Sequence, residues 1–252
     1  VNRIVFLATL SVFIFQNAGL AAENHQGEEL FFKANQAYKQ GKFQDASTAY
    51  QQLIESGHSS GHLYYNLGNC YMRLGQLGAA ILSYERARLL LPRDPDLDFN
   101  LRYARDQIVD EMVESGSLLN TTFFWLKSLN TVELFWGFAI INCLFWAVLL
   151  VRVFVRPEWT YYLSLVLLIF WLIVGVSFGL KRYQTVSDDR AVILQQEIDV
   201  LAGPDIQDTV LFKLHEGTMV YQEREEGDWS LIRFPDGKRG WTKSDTLERI
   251  IW

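Results

Sequence analysis

Two long apolar runs separated by a short gap constrain this chain more than any other feature. No charged side chain stands between Leu134 and Val151, and none between Thr160 and Leu180. About 20 helical residues, each rising about 1.5 Å, cross the roughly 30 Å hydrocarbon layer, so both runs are of spanning length. The stretch between them, Arg152 to Trp159, is too short to fold by itself. The pattern predicts a transmembrane hairpin, with helices over 131–153 and 159–181 and both flanking stretches on one side of the bilayer. The uncharged runs offer no residue for a proton relay or ion path. Asn142 is their one strongly polar side chain. Ala139, Cys143 and Ala147, and Gly175 with Gly179, form small-residue stripes that serve close packing, inside the hairpin or against another membrane protein.

Residues 1–22 read as an export signal: Arg3, then the apolar stretch Ile4 to Phe15, then Ala18 to Ala22 as a small-residue cleavage region. Cut or uncut, it places residue 24 onward outside the cytoplasm. Arg152 and Arg156 in the gap nearly balance Lys181 and Arg182 beyond the second run, so the signal decides the orientation. The gap becomes a short cytoplasmic loop, and both soluble stretches become periplasmic. Before the first run, the linker 116–130 carries Phe123-Phe124-Trp125-Leu126, the composition of an interfacial anchor. Asn130 and Glu133 have the spacing of a capping box for the first span.

The stretch 24–115 repeats itself. Ala34 and Gly68, Gly41 and Gly75, Ala46 and Ala80, and Tyr50 and Tyr84 are each 34 residues apart. With Tyr64, Leu67, Tyr71, Ala87 and Pro92, they resemble the tetratricopeptide repeat (TPR), a pair of antiparallel helices closed by small residues. Two repeats are expected, followed by a closing helix from Asp96 to about Met112, an all-α solenoid of five helices. The resemblance implies a concave groove walled by Phe31, Asn35, Tyr38, Tyr65, Asn66, Asn69, Met72, Arg73 and Asn100. Asn35 and Asn66 match two positions of the carboxylate clamp of some TPR proteins, but Phe31 and Asp96 stand where such a clamp needs cations. The groove is therefore expected to take an extended or helical segment by apolar and amide contacts, with its asparagines bonded to neighbouring backbone. His58 and His62 flank Ser59-Ser60-Gly61, which is turn chemistry and not a metal site.

From 190 to 252 the pattern changes to short period-two runs: Ala191–Leu194, Asp199–Leu201, Thr209–Leu214, Met219–Glu223, Trp229–Phe234 and Gly240–Thr242. Ala202-Gly203-Pro204, Gly227-Asp228-Trp229 and Asp236-Gly237 followed by Gly240-Trp241 resemble a bacterial SH3-like domain, an all-β barrel. Trp241 is expected to plug it, and Tyr221, Trp229 and Phe234 are its candidate ligand surface. The chain carries a formal charge of -6, and from Tyr183 onward eight Lys/Arg face fourteen Asp/Glu, which argues against nucleic acid or anionic lipid as the ligand of this region.

No Ser/His/Asp, Cys/His, paired-carboxylate or phosphate-loop arrangement is present, and Cys70 and Cys143 are placed too differently to pair. The reading is a non-enzymatic multidomain membrane protein with no cofactor and no metal. Signal, TPR solenoid, two spans and SH3-like domain, in that order, resemble the TPR/SH3 membrane proteins of bacterial aerotolerance operons (BatE type). That resemblance implies an inner-membrane scaffold for stress tolerance or envelope maintenance. It also implies partners with von Willebrand factor A domains and a MoxR-type ATPase. The competing reading is a module that tethers partners to peptidoglycan.

Overall fold

A computed structural model describes residues 27–110, 123–155 and 157–251. The proposed export signal lies outside them, as does the first part of the linker, 116–122.

Five helices open the described chain: α1 (27–39), α2 (Phe43–Glu55), α3 (Gly61–Leu74), α4 (Leu77–Leu90) and α5 (Pro95–Arg105). Ser60 caps α3 by accepting the Leu63 N–H, and Gly75 ends that helix at φ 73°, a conformation glycine adopts without a Cβ penalty. Asp94 caps α5 through the Asp96 and Leu97 N–H groups, and Pro95 occupies the first turn, where its missing N–H costs nothing. The helix stops at Arg105, earlier than the expected Met112, and residues 111–122 lie outside the described set. Gly68 shows why the repeat needs small residues: a Cβ there would come within 2.5 Å of the Tyr84 ring. The first repeat closes around Ala34, Ala46, Tyr50, Leu53, Leu63, Leu67 and Cys70.

The apolar runs form α6 (Thr131–Phe154) and α7 (Glu158–Val186), packed as an antiparallel hairpin. The capping box is formed: Glu133 N–H donates to Asn130 Oδ1 at 2.8 Å, and Asn130 N–H donates to Glu133 Oε2 at 3.0 Å. Asn142 accepts from Trp171 Nε1 at 3.0 Å, so the one strongly polar side chain of the runs joins the two helices. Gly175 also packs inside the hairpin, against the Phe138 ring, whereas Cys143 and Ala147 of the other stripe are exposed. The second helix runs five residues beyond the expected Lys181, to Val186. The aromatic burst before α6 makes tertiary contacts of its own. It forms a short 3-10 turn, Phe124–Lys127, that straps α7: Trp125 Nε1 donates to Ser177 Oγ at 3.1 Å, and Lys181 Nζ donates to the Leu126 carbonyl at 2.7 Å.

Seven antiparallel strands follow: β1 (Arg190–Ile193), β2 (Glu197–Leu201), β3 (Val210–His215), β4 (Met219–Glu226), β5 (Trp229–Arg233), β6 (Arg239–Lys243) and β7 (Leu247–Arg249). Their order in the sheet is β3-β2-β6-β5-β4-β1-β7. The last strand escapes the sequence pattern because it is three residues long. Its signal is its pairing with β1, Ala191 opposite Arg249 and Ile193 opposite Leu247. One face of the sheet buries Ala191, Ile193, Ile198, Val200, Leu214, Val220, Ile232, Phe234 and Leu247.

Trp241 is buried as expected, at 8% exposure, but on the other side of the sheet from that cluster. Cross-strand partners share a face, and Trp241 stands opposite Leu201 and Leu231, on the face away from Ile232. The Arg224 guanidinium lies 5.2 Å from its ring centre and covers it there.

The larger departure concerns the two soluble stretches, which the sequence presents as separate modules. They share a core: Val192 and Ile250 of the sheet region pack with Tyr64, Ile81, Leu82, Tyr84, Leu97 and Leu101 of the helices. The reason lies in α4, where Gly78, Ala80, Ile81, Leu82, Ser83, Tyr84, Glu85 and Ala87 are all buried. A helix buried on every side needs cover on every side, and α3 with α5 can supply only part of it. The sheet supplies the rest.

Candidate functional site

The first helix of each repeat and α5 lie side by side, and the 34-residue period places equivalent side chains along the surface they share. Asn35 Oδ1 accepts from Tyr50 Oη at 2.6 Å, and one repeat later Asn69 Oδ1 accepts from Tyr84 Oη at 2.8 Å. Asn66 Nδ2 then reaches Asn35 Oδ1 at 3.4 Å, and its equivalent Asn100 reaches Asn69 Oδ1 at 2.9 Å and Tyr65 Oη at 3.0 Å. These asparagines thus bond one another and tyrosine hydroxyls, and not the neighbouring backbone as expected. The ladder fixes α1, α3 and α5 side by side, since leaving any of these half-buried polar groups unpaired would cost about 1–3 kcal/mol.

Above the ladder lie the rings. Phe31 contacts Tyr50 with centroids 6.0 Å apart, Tyr38 meets Phe43 edge-on at 5.3 Å, and Tyr65 lies 6.1 Å from Tyr84. Met72 packs partly against the core shared by the helices and the sheet region, and Arg73 is exposed with its guanidinium 5.8 Å from the Phe43 ring. Burial pushes the Tyr50 and Tyr84 hydroxyls well above the usual tyrosine range, so the ladder's phenols stay protonated donors at neutral pH. Burial likewise pushes the Cys70 thiol up to about 12.

Two members of this surface were not anticipated. Phe99 and Tyr103 are 63% and 59% exposed on α5, at the positions equivalent to Phe31/Tyr65 and Asn35/Asn69. The signal for Phe99 was in the sequence, because Phe99-Asn100-Leu101 echoes Tyr65-Asn66-Leu67. Tyr103 breaks the Asn pattern and could be found only by extending the period.

The sheet residues do not assemble as one surface. Phe234 is in the core. Tyr221 stands opposite Arg233, whose guanidinium is 4.4 Å from its ring centre, and Trp229 stands opposite Lys243, whose ammonium is 4.1 Å from its own. The two rings are thus separated by the length of β5, about 13 Å.

Among the polar connections that hold the repeats to the rest of the molecule, three join them to the sheet through charged side chains of the repeat region. Glu85 on α4, 1% exposed, faces the guanidinium groups of Arg88, of Arg105 at the end of α5 and of Arg190 at the start of β1. Burial works against the Arg190 cation, but the Asp188 and Glu85 carboxylates outweigh it and raise its pKa further. Arg86 donates from Nε to the Ile250 carbonyl at 3.1 Å and from Nη2 to the Arg249 carbonyl at 2.8 Å. Asp110 accepts from Thr218 Oγ1 at 2.6 Å and from His215 N–H at 2.8 Å, with His215 Nδ1 at 3.0 Å. Burial acts to raise the Asp110 pKa, yet these bonds prevail and hold it below the usual carboxylate range. Among the described residues, no group of three His, Cys, Asp or Glu is placed to hold a metal ion.

Residues 33–97 match the tetratricopeptide repeat family. Curated relatives include the low calcium response locus protein H of Yersinia pestis and that of Yersinia pseudotuberculosis serotype I (strain IP32953). Each is 30% identical over 73 residues, which is 29% of this chain and 44% of the relative. The chain thus spans less than half the length of these relatives. Among solved structures, the Yersinia enterocolitica type III secretion chaperone SycD, in complex with a peptide of the translocator YopD, aligns with 59% of this chain and 92% of its own. The identity there is 19% and the TM-score 0.30.

Proposed function

We propose that this protein is a non-enzymatic scaffold of the bacterial inner membrane that holds a segment of a partner protein in the concave groove of its repeats. The groove carries the reading: a rigid Asn/Tyr ladder topped by exposed Phe99 and Tyr103, the residue types that anchor interfaces. Stacked repeats use such concave surfaces for binding.

The membrane part rests on α6 and α7, of 24 and 29 residues, whose most apolar windows are only 6% buried. Helices of a soluble core would be covered. Here Trp136, Trp146, Phe154, Phe170 and Leu172 are about half exposed or more, a continuous apolar surface that lipid would cover. The repeats precede the hairpin and the sheet follows it, and the two are bonded through Glu85, Arg86 and Asp110. In a bilayer such contacts require both on one side, the periplasmic side if residues 1–22 act as an export signal. The C-terminal sheet serves as an SH3-like companion domain docked on α4. By resemblance to the aerotolerance proteins, the partners are von Willebrand factor A domain proteins working with a MoxR-type ATPase.

Co-purification from membranes tests the reading. Phe99→Ala combined with Tyr103→Ala removes exposed rings without touching the ladder, so the protein should insert normally and lose its partners. Retention of the same partners by this double variant would refute the groove as the binding site. For orientation, an alkaline phosphatase reporter should be active after Trp252 and silent at Glu158.

A further inference from the structure

The groove differs from a carboxylate-binding surface in the sign of its charge. On α5, Asp96, Phe99, Asn100 and Tyr103 fall three, four and seven residues apart, so they share one face, while Leu97, Leu101 and Ala104 bury the other. Asn100 ties this face directly to α3 through Tyr65 and Asn69. Asp96 is exposed and makes no ion pair among the described residues. The cations of α5 are engaged elsewhere: Arg102 pairs with Asp98 at 3.3 Å, and Arg105 belongs to the buried Glu85 cluster. Arg73 lies at the far end, over Phe43. The first turn of α5, at one end of the groove, therefore presents a carboxylate on the same face as the exposed Phe99 and Tyr103 rings, and its field reaches Tyr65. Burial, together with the charges of Asp96 and Asp94 and against the bond to Asn69, pushes that hydroxyl upward.

Carboxylate and aromatic faces attract the same kind of ligand group. A ring quadrupole holds a cation over its face, and a carboxylate adds a charge-assisted hydrogen bond to an ammonium or guanidinium. A partner carboxylate at the Asp96 end would meet like charge, with Arg73 at the far end of the groove. Resting on the groove reading above, we infer that the partner segment carries a lysine or arginine flanked by apolar side chains, the cation lying against Asp96 and the apolar neighbours on Phe99 and Tyr103.

The test uses the full chain in detergent micelles, panned against a random dodecapeptide library beside Phe99→Ala and Asp96→Lys variants. The parent should enrich peptides with Lys or Arg among aliphatic or aromatic residues. Phe99→Ala should lose that enrichment, and Asp96→Lys should shift it toward neutral or acidic sequences. An enriched peptide should bind Asp96→Asn about two- to fivefold more weakly than the parent at low salt, the range of an exposed ion pair, with the difference shrinking as salt rises. Peptides without a cation bias, unaffected by Asp96→Lys but lost with Phe99→Ala, would overturn the cation assignment and leave the groove standing. Enrichment indifferent to Phe99→Ala, or none above bare micelles, would overturn both.

Discussion

Replacing Gly78 by alanine separates two effects that ordinarily act together in a helix. Gly78 lies in the first turn of α4, where alanine should be the better helix former by at most about 1 kcal/mol. In the folded chain the added Cβ would stand 2.4 Å from the Ile193 carbonyl oxygen, 3.0 Å from Leu194 Cα and 3.3 Å from the Gly217 nitrogen. All three are backbone atoms, so no side chain can rotate out of the way. Real Cβ atoms essentially never come closer than 3.0 Å, so helix and sheet must part by at least 3.0 less 2.4, or 0.6 Å. A gap of that size forfeits about a quarter of each affected dispersion contact, and overpacking of this kind costs about 1–3 kcal/mol. The Ile193 carbonyl also accepts the Gly217 N–H at 2.8 Å, so the strain falls on the turn that Asp110 grips. Setting a helix gain of at most about 1 kcal/mol against this cost leaves a net destabilisation of about 0–3 kcal/mol. Hydrogen exchange on the full chain in micelles should show the Ile193 and Gly217 amides exchanging faster in the variant, with a lower unfolding midpoint. A variant that is stabilised, with unchanged exchange at those two amides, would show that α4 and β1 are not in contact as described.

Two further outcomes follow from the polar chemistry. Asp110 has a folded pKa below its unfolded value, so its contribution is present above about pH 4 and is lost as pH falls through the lower folded value. Asp110→Asn should cost about 1.5–3 kcal/mol at neutral pH and flatten the acid limb of the stability profile; an unchanged acid limb would remove Asp110 from the latch. Cys70 is fully buried with its thiol raised to about 12, so a thiol reagent at neutral pH should modify it only when the first repeat opens. Modification of Cys70 in the native protein at the rate of an exposed cysteine would contradict that packing.

Local rules sufficed wherever a segment's own pattern fixed its state. The uncharged runs became α6 and α7 because span length and composition leave little else for them to be. The 34-residue period became paired helices, and Asn130 with Glu133 made the capping box their spacing announced. Period-two runs became strands, and the matched asparagines of the groove came together, although they bond to tyrosine hydroxyls and each other. What the sequence could not determine was decided by partners distant in the chain. β7 exists because β1 offers it a ladder, and Trp241 is buried on the face opposite the main sheet cluster because its cross-strand neighbours place it there. Whether the all-round burial of α4 meant a solenoid interior or an interface is not written in α4 itself. The sheet settles it, by closing over Gly78 where only a glycine allows two backbones so near. Periodicity reports which faces of a segment are apolar, and the identity of the surface that covers each face is a property of the assembled chain.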